Sequence, residues 1–181
     1  MATPPDYSGP RPEPAVAGYA SVVRDVRVDV PRVTFLAWVN APGRELGDMI
    51  ETADDLTRVV GTVNLRGDFD PAVDRTGHRR RVEQATGHYL AEEVLDDTPD
   101  EFRYMIWGFT DPRLRLAARY AVARFAYADD DGATRIHWAY SFMPTTPLLR
   151  PVVGMILSRA MGEMMRRTLT AWKDAAEREA R

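Results

Sequence analysis

The sequence predicts an α+β fold in which a curved antiparallel sheet wraps around one long C-terminal helix, with two short helices after the first strand. Three observations carry this expectation: a late run with apolar residues at helical spacing, six earlier stretches of period-two alternation, and turn-forming residues between them. Beyond Pro151, apolar residues occupy positions 152, 153, 156, 157, 160, 161, 164, 165, 169 and 172, while polar residues or glycine occupy 158, 159, 162, 163, 166, 167, 170, 173, 174, 177 and 178. That pattern is an amphipathic helix of about 29 residues, roughly 43 Å long. Thr146-Pro147 has the form of an N-cap with a first-turn proline, and Pro151, lacking the N–H a continuing helix uses, predicts a bend.

Taken in order, residues 19–30 are β-branched and alternate from Val26 onward, as a half-buried strand does. Pro31 suits a first helical position, and Val33, Phe35, Leu36 and Val39 recur at helical spacing up to the Ala41-Pro42-Gly43 break. A second short helix is expected over 44–50. Strands follow at 59–66, 78–84, 88–95, 101–109, 118–128 and 134–143, separated by Gly67-Asp68, Asp74 to Gly77, Gly87, Asp96 to Asp100 and Asp129 to Gly132. Asp131-Gly132 between two alternating aromatic runs is a two-residue hairpin loop, which sets Phe125 opposite Trp138 and Ala123 opposite Tyr140.

Composition bounds what such a fold does. The 181 residues suit one domain, 45% of them are hydrophobic and 28% charged, and there is no cysteine, which excludes disulfides, thiolate metal sites and cysteine nucleophiles. Net charge is −3 with no basic stripe, which argues against nucleic-acid binding. No apolar run reaches the ~20 residues of a membrane span, so no membrane insertion is expected. The N-terminus lacks the basic and apolar regions of a secretory signal, and a cytoplasmic protein is expected. Pro4, Pro5, Pro10, Pro12 and Pro14 make residues 1–18 a disordered, proline-rich tail that precedes a single domain over 19–181.

The order of elements, with Val30-Pro31-Arg32-Val33 entering the first helix, Val59-Val60-Gly61-Thr62, Glu101-Phe102-Arg103-Tyr104 and Gly132 to Trp138 in strands, and the terminal helix, resembles the START-like helix-grip superfamily of polyketide cyclases and lipid-transport proteins. The resemblance covers roughly residues 19–179. It implies an apolar cavity between the concave sheet face and the long helix; the superfamily has no invariant catalytic signature to carry over.

Strand alternation assigns the lining. Phe102, Tyr104 and Ile106, with Ile136, Trp138, Tyr140 and Phe142, face inward, and Arg103, Arg135, His137 and Ser141 outward. Ile156, Ala160, Met161, Met164, Thr168 and Trp172 form the helical wall. Met155, Met161, Met164 and Met165 suit either a varied apolar cargo or ordinary core packing. Of the adjacent Glu92 and Glu93, one must face the cavity; grouping Leu90 with Val94 selects Glu92, and grouping Tyr89, Ala91 and Leu95 selects Glu93. That carboxylate is a candidate base or, in the simpler reading, the partner of an arginine. Tyr104 and Tyr140 are candidate hydrogen-bond donors to a carbonyl or enolate or, in the simpler reading, core residues with satisfied hydroxyls; Arg119 shares parity with Ala123, which directs it to the cavity mouth, unless its place at the strand start near Arg113 and Arg115 leaves it on a solvated rim.

Arg79-Arg80-Arg81 reads as a charge run on a solvated strand face. His78, His88 and His137 lack ligand spacing, so no metal and no cofactor is expected, and no serine-nucleophile or phosphate-loop motif occurs. The expected function is binding of a hydrophobic small molecule, a lipid or polyketide-like compound. The alternatives are a cofactor-independent cyclase or dehydratase using Glu92, Tyr104 and Tyr140, and a protein-interaction module. Oligomeric state is not readable from the sequence.

Overall fold

A computed structural model describes residues 4–44, 49–52, 55 and 57–181. The elements in chain order are β1 (Ala20–Val28), α1 (Arg32–Val39), β2 (Val59–Arg66), β3 (Arg79–Gln84), β4 (Tyr89–Asp97), β5 (Glu101–Trp107), α2 (Pro112–Ala117), β6 (Ala118–Asp130), β7 (Ala133–Pro144), a 3₁₀ turn (Pro147–Leu149) and α3 (Arg150–Glu179). They form one antiparallel seven-stranded sheet in the order β1-β7-β6-β5-β4-β3-β2, with α3 against its inner face. The helix expected over 44–50 lies largely outside the described residues. The structure adds α2, for which the signal is Asp111-Pro112: the Asp111 carboxylate accepts from the amides of Arg113 and Leu114, and proline fits the first turn, where no intrahelical N–H is needed.

The β6–β7 hairpin has the expected register, Phe125 opposite Trp138 and Ala123 opposite Tyr140. Asp131 and Gly132 both take positive φ, 50° and 81°, the combination a two-residue loop needs to match strand twist. α3 runs unbroken for 30 residues. Pro151 causes no break within it, because it stands in the first turn, where its missing N–H has no carbonyl to meet. The change of direction precedes it, in the 3₁₀ turn, and Thr146 makes no side-chain cap there. At the far end, Lys173 donates to the Arg27 carbonyl (3.0 Å) and Glu177 accepts from the Asp29 amide (2.8 Å), which ties the helix to the end of β1.

Cross-strand rows across β5, β6 and β7 decide how the interior is filled. One row is Phe102–Phe125–Trp138, three large rings, and Trp172 from α3 stacks on Phe125 with centroids 5.4 Å apart. The next two rows are Tyr104–Ala123–Tyr140 and Ile106–Ala121–Phe142, each with alanine at its centre. The first row, with Phe35, Ile136, Met165 and Leu169, is close-packed core. The alanine rows leave space.

The outer face of the sheet carries a second, smaller apolar cluster of Ala91, Met105, Trp107 and Tyr120. Residues 4–18, expected from the sequence to be a disordered tail, are placed across this face. The Tyr7 hydroxyl donates to the Gly108 carbonyl (2.8 Å), Arg11 pairs with Glu93 (3.0 Å), and the Ala15 amide donates to the Tyr120 hydroxyl (2.9 Å).

Candidate functional site

The space beside the alanine rows is a cavity of about 150 Å³. Its sheet wall is Val82, Leu90, Tyr104, Ile106, Trp138, Tyr140 and Phe142, and its helical wall is Ile156, Ala160, Met161 and Met164 from the first half of α3. Phe109 and Leu114, with Ile50, Thr57 and Val59, complete the lining. Val59 and Ile156 both line the cavity and are solvent-exposed, so the opening lies between β2 and α3.

One corner is polar. Glu92 faces the cavity and Glu93 the outer face, which resolves the alternation between them. Arg80, opposite Glu92 in the β3–β4 register, donates to its carboxylate through Nε (2.9 Å) and Nη2 (2.8 Å). Arg80 is buried, its side chain 6% exposed, and Glu92 is mostly covered, at 12%. The Arg80 guanidinium also lies over the Phe69 ring, 4.4 Å from its centroid. The next rung repeats the arrangement on the other side of the sheet, where Glu93 receives Arg79, Arg66 and Arg11. Reading 79–81 as a solvated run is therefore corrected: alternation within β3 sends Arg80 inward with Val82 and Gln84, and Arg79 outward beneath residues 4–18. The parity of Val82 was a usable signal, as was the matching Glu-Glu pair one strand away.

Tyr104 and Tyr140 stand edge to face, ring centroids 6.4 Å apart, with Ala123 between them in the sheet. Burial raises Tyr104 well above the ordinary phenol value, and the neighbouring Tyr140 and Glu92 push the same way against Arg80. Burial likewise raises Tyr140, with Glu92 reinforcing it and a hydrogen bond from the Tyr104 hydroxyl working against it. Both phenols are therefore neutral hydrogen-bond donors. Trp138, in the same wall, has a buried indole N–H with no partner among the described residues.

A consequence is testable by pH. Tyr104, Tyr127 and Tyr140 all have raised values when folded, against 10.0 for a free phenol. Above that value the unfolded chain loses protons that the folded one keeps, so their stabilisation is complete below it and falls as pH rises. Urea midpoints measured from pH 8 to 11.5 are expected to drop above about pH 10, and Tyr140→Phe to make the drop shallower. Parallel curves for the two proteins would refute this.

The remaining site candidates divide clearly. Glu92, Tyr104, Ile106, Trp138, Tyr140, Phe142, Met161 and Met164 line the cavity. Ala123 does not line it but makes room for it. Arg119 is exposed and donates to the Thr145 carbonyl (3.0 Å); an irregularity in the β6–β7 register between Ala118 and Tyr120 shifts the parity that directed it inward. Thr168 and Trp172 are fully buried away from the cavity: the Thr168 hydroxyl accepts from the Glu51 amide (2.9 Å), and the Trp172 indole donates to the Met49 carbonyl (3.0 Å). They lie on the expected helix face, but level with the filled row of rings. Met165 is core and Met155 exposed.

A long helix held in the curve of an antiparallel sheet, with an apolar cavity between them, is the helix-grip architecture of START-like proteins. The profile of the family described as polyketide cyclase / dehydrase and lipid transport matches residues 20–177, and the chain belongs to that family. Its fold is similar to that of the di-domain ARO/CYC StfQ from the steffimycin biosynthetic pathway, with TM-score 0.62, 11% identity, and coverage of 90% of this chain and 52% of that one. A protein from Nitrosospira multiformis gives TM-score 0.61 at 12% identity, covering 88% and 98% of the two chains. Ara h 8.0201 gives 0.59 at 14% identity, covering 87% and 97%. These likenesses concern the fold. No curated protein matches the chain. Among the described residues no helix is long and apolar enough to cross a membrane.

Proposed function

We propose that this protein binds and carries an apolar small molecule whose ring or chain end enters the cavity with a carbonyl or similar acceptor directed at Tyr104 and Tyr140. The observation that carries the reading is an apolar chamber with two neutral phenols in its wall. About 150 Å³ holds a single aromatic ring. A longer lipid or polyketide-like ligand would extend through the opening between Val59 and Ile156. The phenols, and the unpartnered Trp138 N–H, supply orientation, while apolar contact supplies most of the affinity.

A carrier fits the polar corner better than a cyclase or dehydratase. Glu92 is the one carboxylate among the described lining residues, and Arg80 donates to one of its oxygens twice. That ion pair commits one carboxylate oxygen to holding β3 against β4, which gives Glu92 a structural task in the cavity wall. Family membership supports binding of hydrophobic molecules and is compatible with either activity.

The test is a thermal-shift series with fatty acids, single-ring aromatics and aromatic polyketides, each confirmed by native mass spectrometry. A ligand at 100 times its Kd stabilises by about 2.7 kcal/mol, worth roughly 5–11 °C in a chain of this size. For a ligand with a carbonyl, Tyr140→Phe is expected to weaken binding by about 2–10-fold, one lost hydrogen bond. Absence of any shift across the three classes would overturn the proposal. Turnover of a polyketide chain that Glu92→Gln abolishes would replace the carrier with the enzyme.

A further inference from the structure

The outer face of the sheet holds a second arrangement of unusual economy, independent of the cavity. Residues 5–15 pass from above β3, where Arg81 donates to the Pro5 carbonyl (3.2 Å), to above β6, where the Tyr120 hydroxyl accepts from the Ala15 amide (2.9 Å). Three strand spacings separate those points, about 14 Å. Between them Arg79, itself buried over the Trp107 ring, donates to two carbonyls, those of Tyr7 (2.7 Å) and Gly9 (2.6 Å). Prolines remove backbone donors and leave carbonyls, and this surface presents guanidinium donors to carbonyls.

Two side chains add specificity. Tyr7 lays its ring on Gly108, where a Cβ would come within 2.5 Å of the ring, and its hydroxyl donates to the Gly108 carbonyl. Gly108 has φ +67°, a conformation that favours glycine as well. Four residues on, Arg11 reaches Glu93, 7% exposed and already paired with Arg79 and Arg66. A segment with five prolines in its first 14 residues has fewer backbone states to lose on docking than an ordinary tail. Donors for carbonyls, a glycine seat for a ring and a carboxylate for an arginine together make a receptor, and the chain supplies its own ligand.

We infer that the outer face of β3–β6 is a recognition groove for an extended proline-rich peptide bearing a tyrosine and, four residues later, an arginine, and that residues 4–17 occupy it in cis. An identical segment offered from outside competes for the same contacts. It succeeds only where the internal one is weakened, because a tethered segment acts at a high effective concentration.

The test uses the full chain. A synthetic peptide of residues 4–17 is titrated into the native protein and into a Tyr7→Ala/Arg11→Ala variant, whose groove is unchanged and whose own segment has lost its two side-chain anchors. The peptide is expected to bind the variant at least tenfold more tightly than the native protein, and peptides carrying Tyr7→Ala or Arg11→Ala to bind the variant at least tenfold more weakly. In the native chain, the Ala15 amide is expected to exchange hydrogen more slowly than in the variant. Equal affinity of the native peptide for both proteins, no binding to either, or indifference to the peptide substitutions would each overturn the inference.

Discussion

Arg80→Met is expected to destabilise the protein by about 3–5 kcal/mol, the cost of leaving a buried carboxylate without its counter-ion. For a chain of this length that is a loss of roughly 6–20 °C in Tm. The argument rests on burial and register. Glu92 is 12% exposed, it faces an apolar cavity, and Arg80 directly across the β3–β4 pair supplies two hydrogen bonds to it. A surface pair would give less than 1 kcal/mol. The second half of the prediction separates an ion pair from a merely important arginine: Arg80→Met/Glu92→Leu is expected to return to within about 1 kcal/mol of the parent or to exceed it, since replacing both charges removes the desolvation cost together with the attraction. Urea unfolding of the two single variants and the double variant measures the coupling. Additive losses would show that Arg80 and Glu92 act separately.

Ala160→Phe is expected to abolish ligand binding while leaving the fold intact. Ala160 lies on the helical wall of a cavity of about 150 Å³, and a phenyl ring placed there occupies the volume that a ligand's ring would take. Filling a void restores dispersion contacts that its lining lacks, so Tm of the free protein should move by no more than a few degrees. For any ligand found in the thermal-shift series, Kd should rise by at least about a hundredfold, a loss of about 2.7 kcal/mol. Undiminished binding would place the ligand elsewhere. A large fall in Tm would mean that the cavity cannot accept a ring at all, which would count against the proposed ligand class.

Much of the site was legible because strand alternation is a strict rule. Tyr104, Ile106, Trp138, Tyr140 and Phe142 could be assigned to one face without coordinates, and the Asp131-Gly132 loop set the β6–β7 register. The errors have three physical sources. Arg80 was hidden by composition, since three consecutive arginines look solvated until each is assigned a face. For Arg119 the rim reading holds and the parity reading fails, because a register irregularity interrupts the alternation that pointed it inward. Thr168 and Trp172 have the right helical phase at the wrong height: periodicity gives the face of a helix but not the row of the sheet it meets.

The sequence by itself determined the α+β class, the order of the strands along the chain, the terminal helix and the inward face of β5 and β7, because all of these follow from local periodicity and turn chemistry. Only the tertiary structure decided which inward residues bound a space and which fill one. That depends on what lies on the strand between, alanine at Ala121 and Ala123 against phenylalanine at Phe125, and on where α3 crosses those rows. The outer face was equally invisible from within the chain. Tyr7 meets Gly108, and Arg11 meets Glu93, across 101 and 82 residues, and no local pattern encodes a contact at such separations.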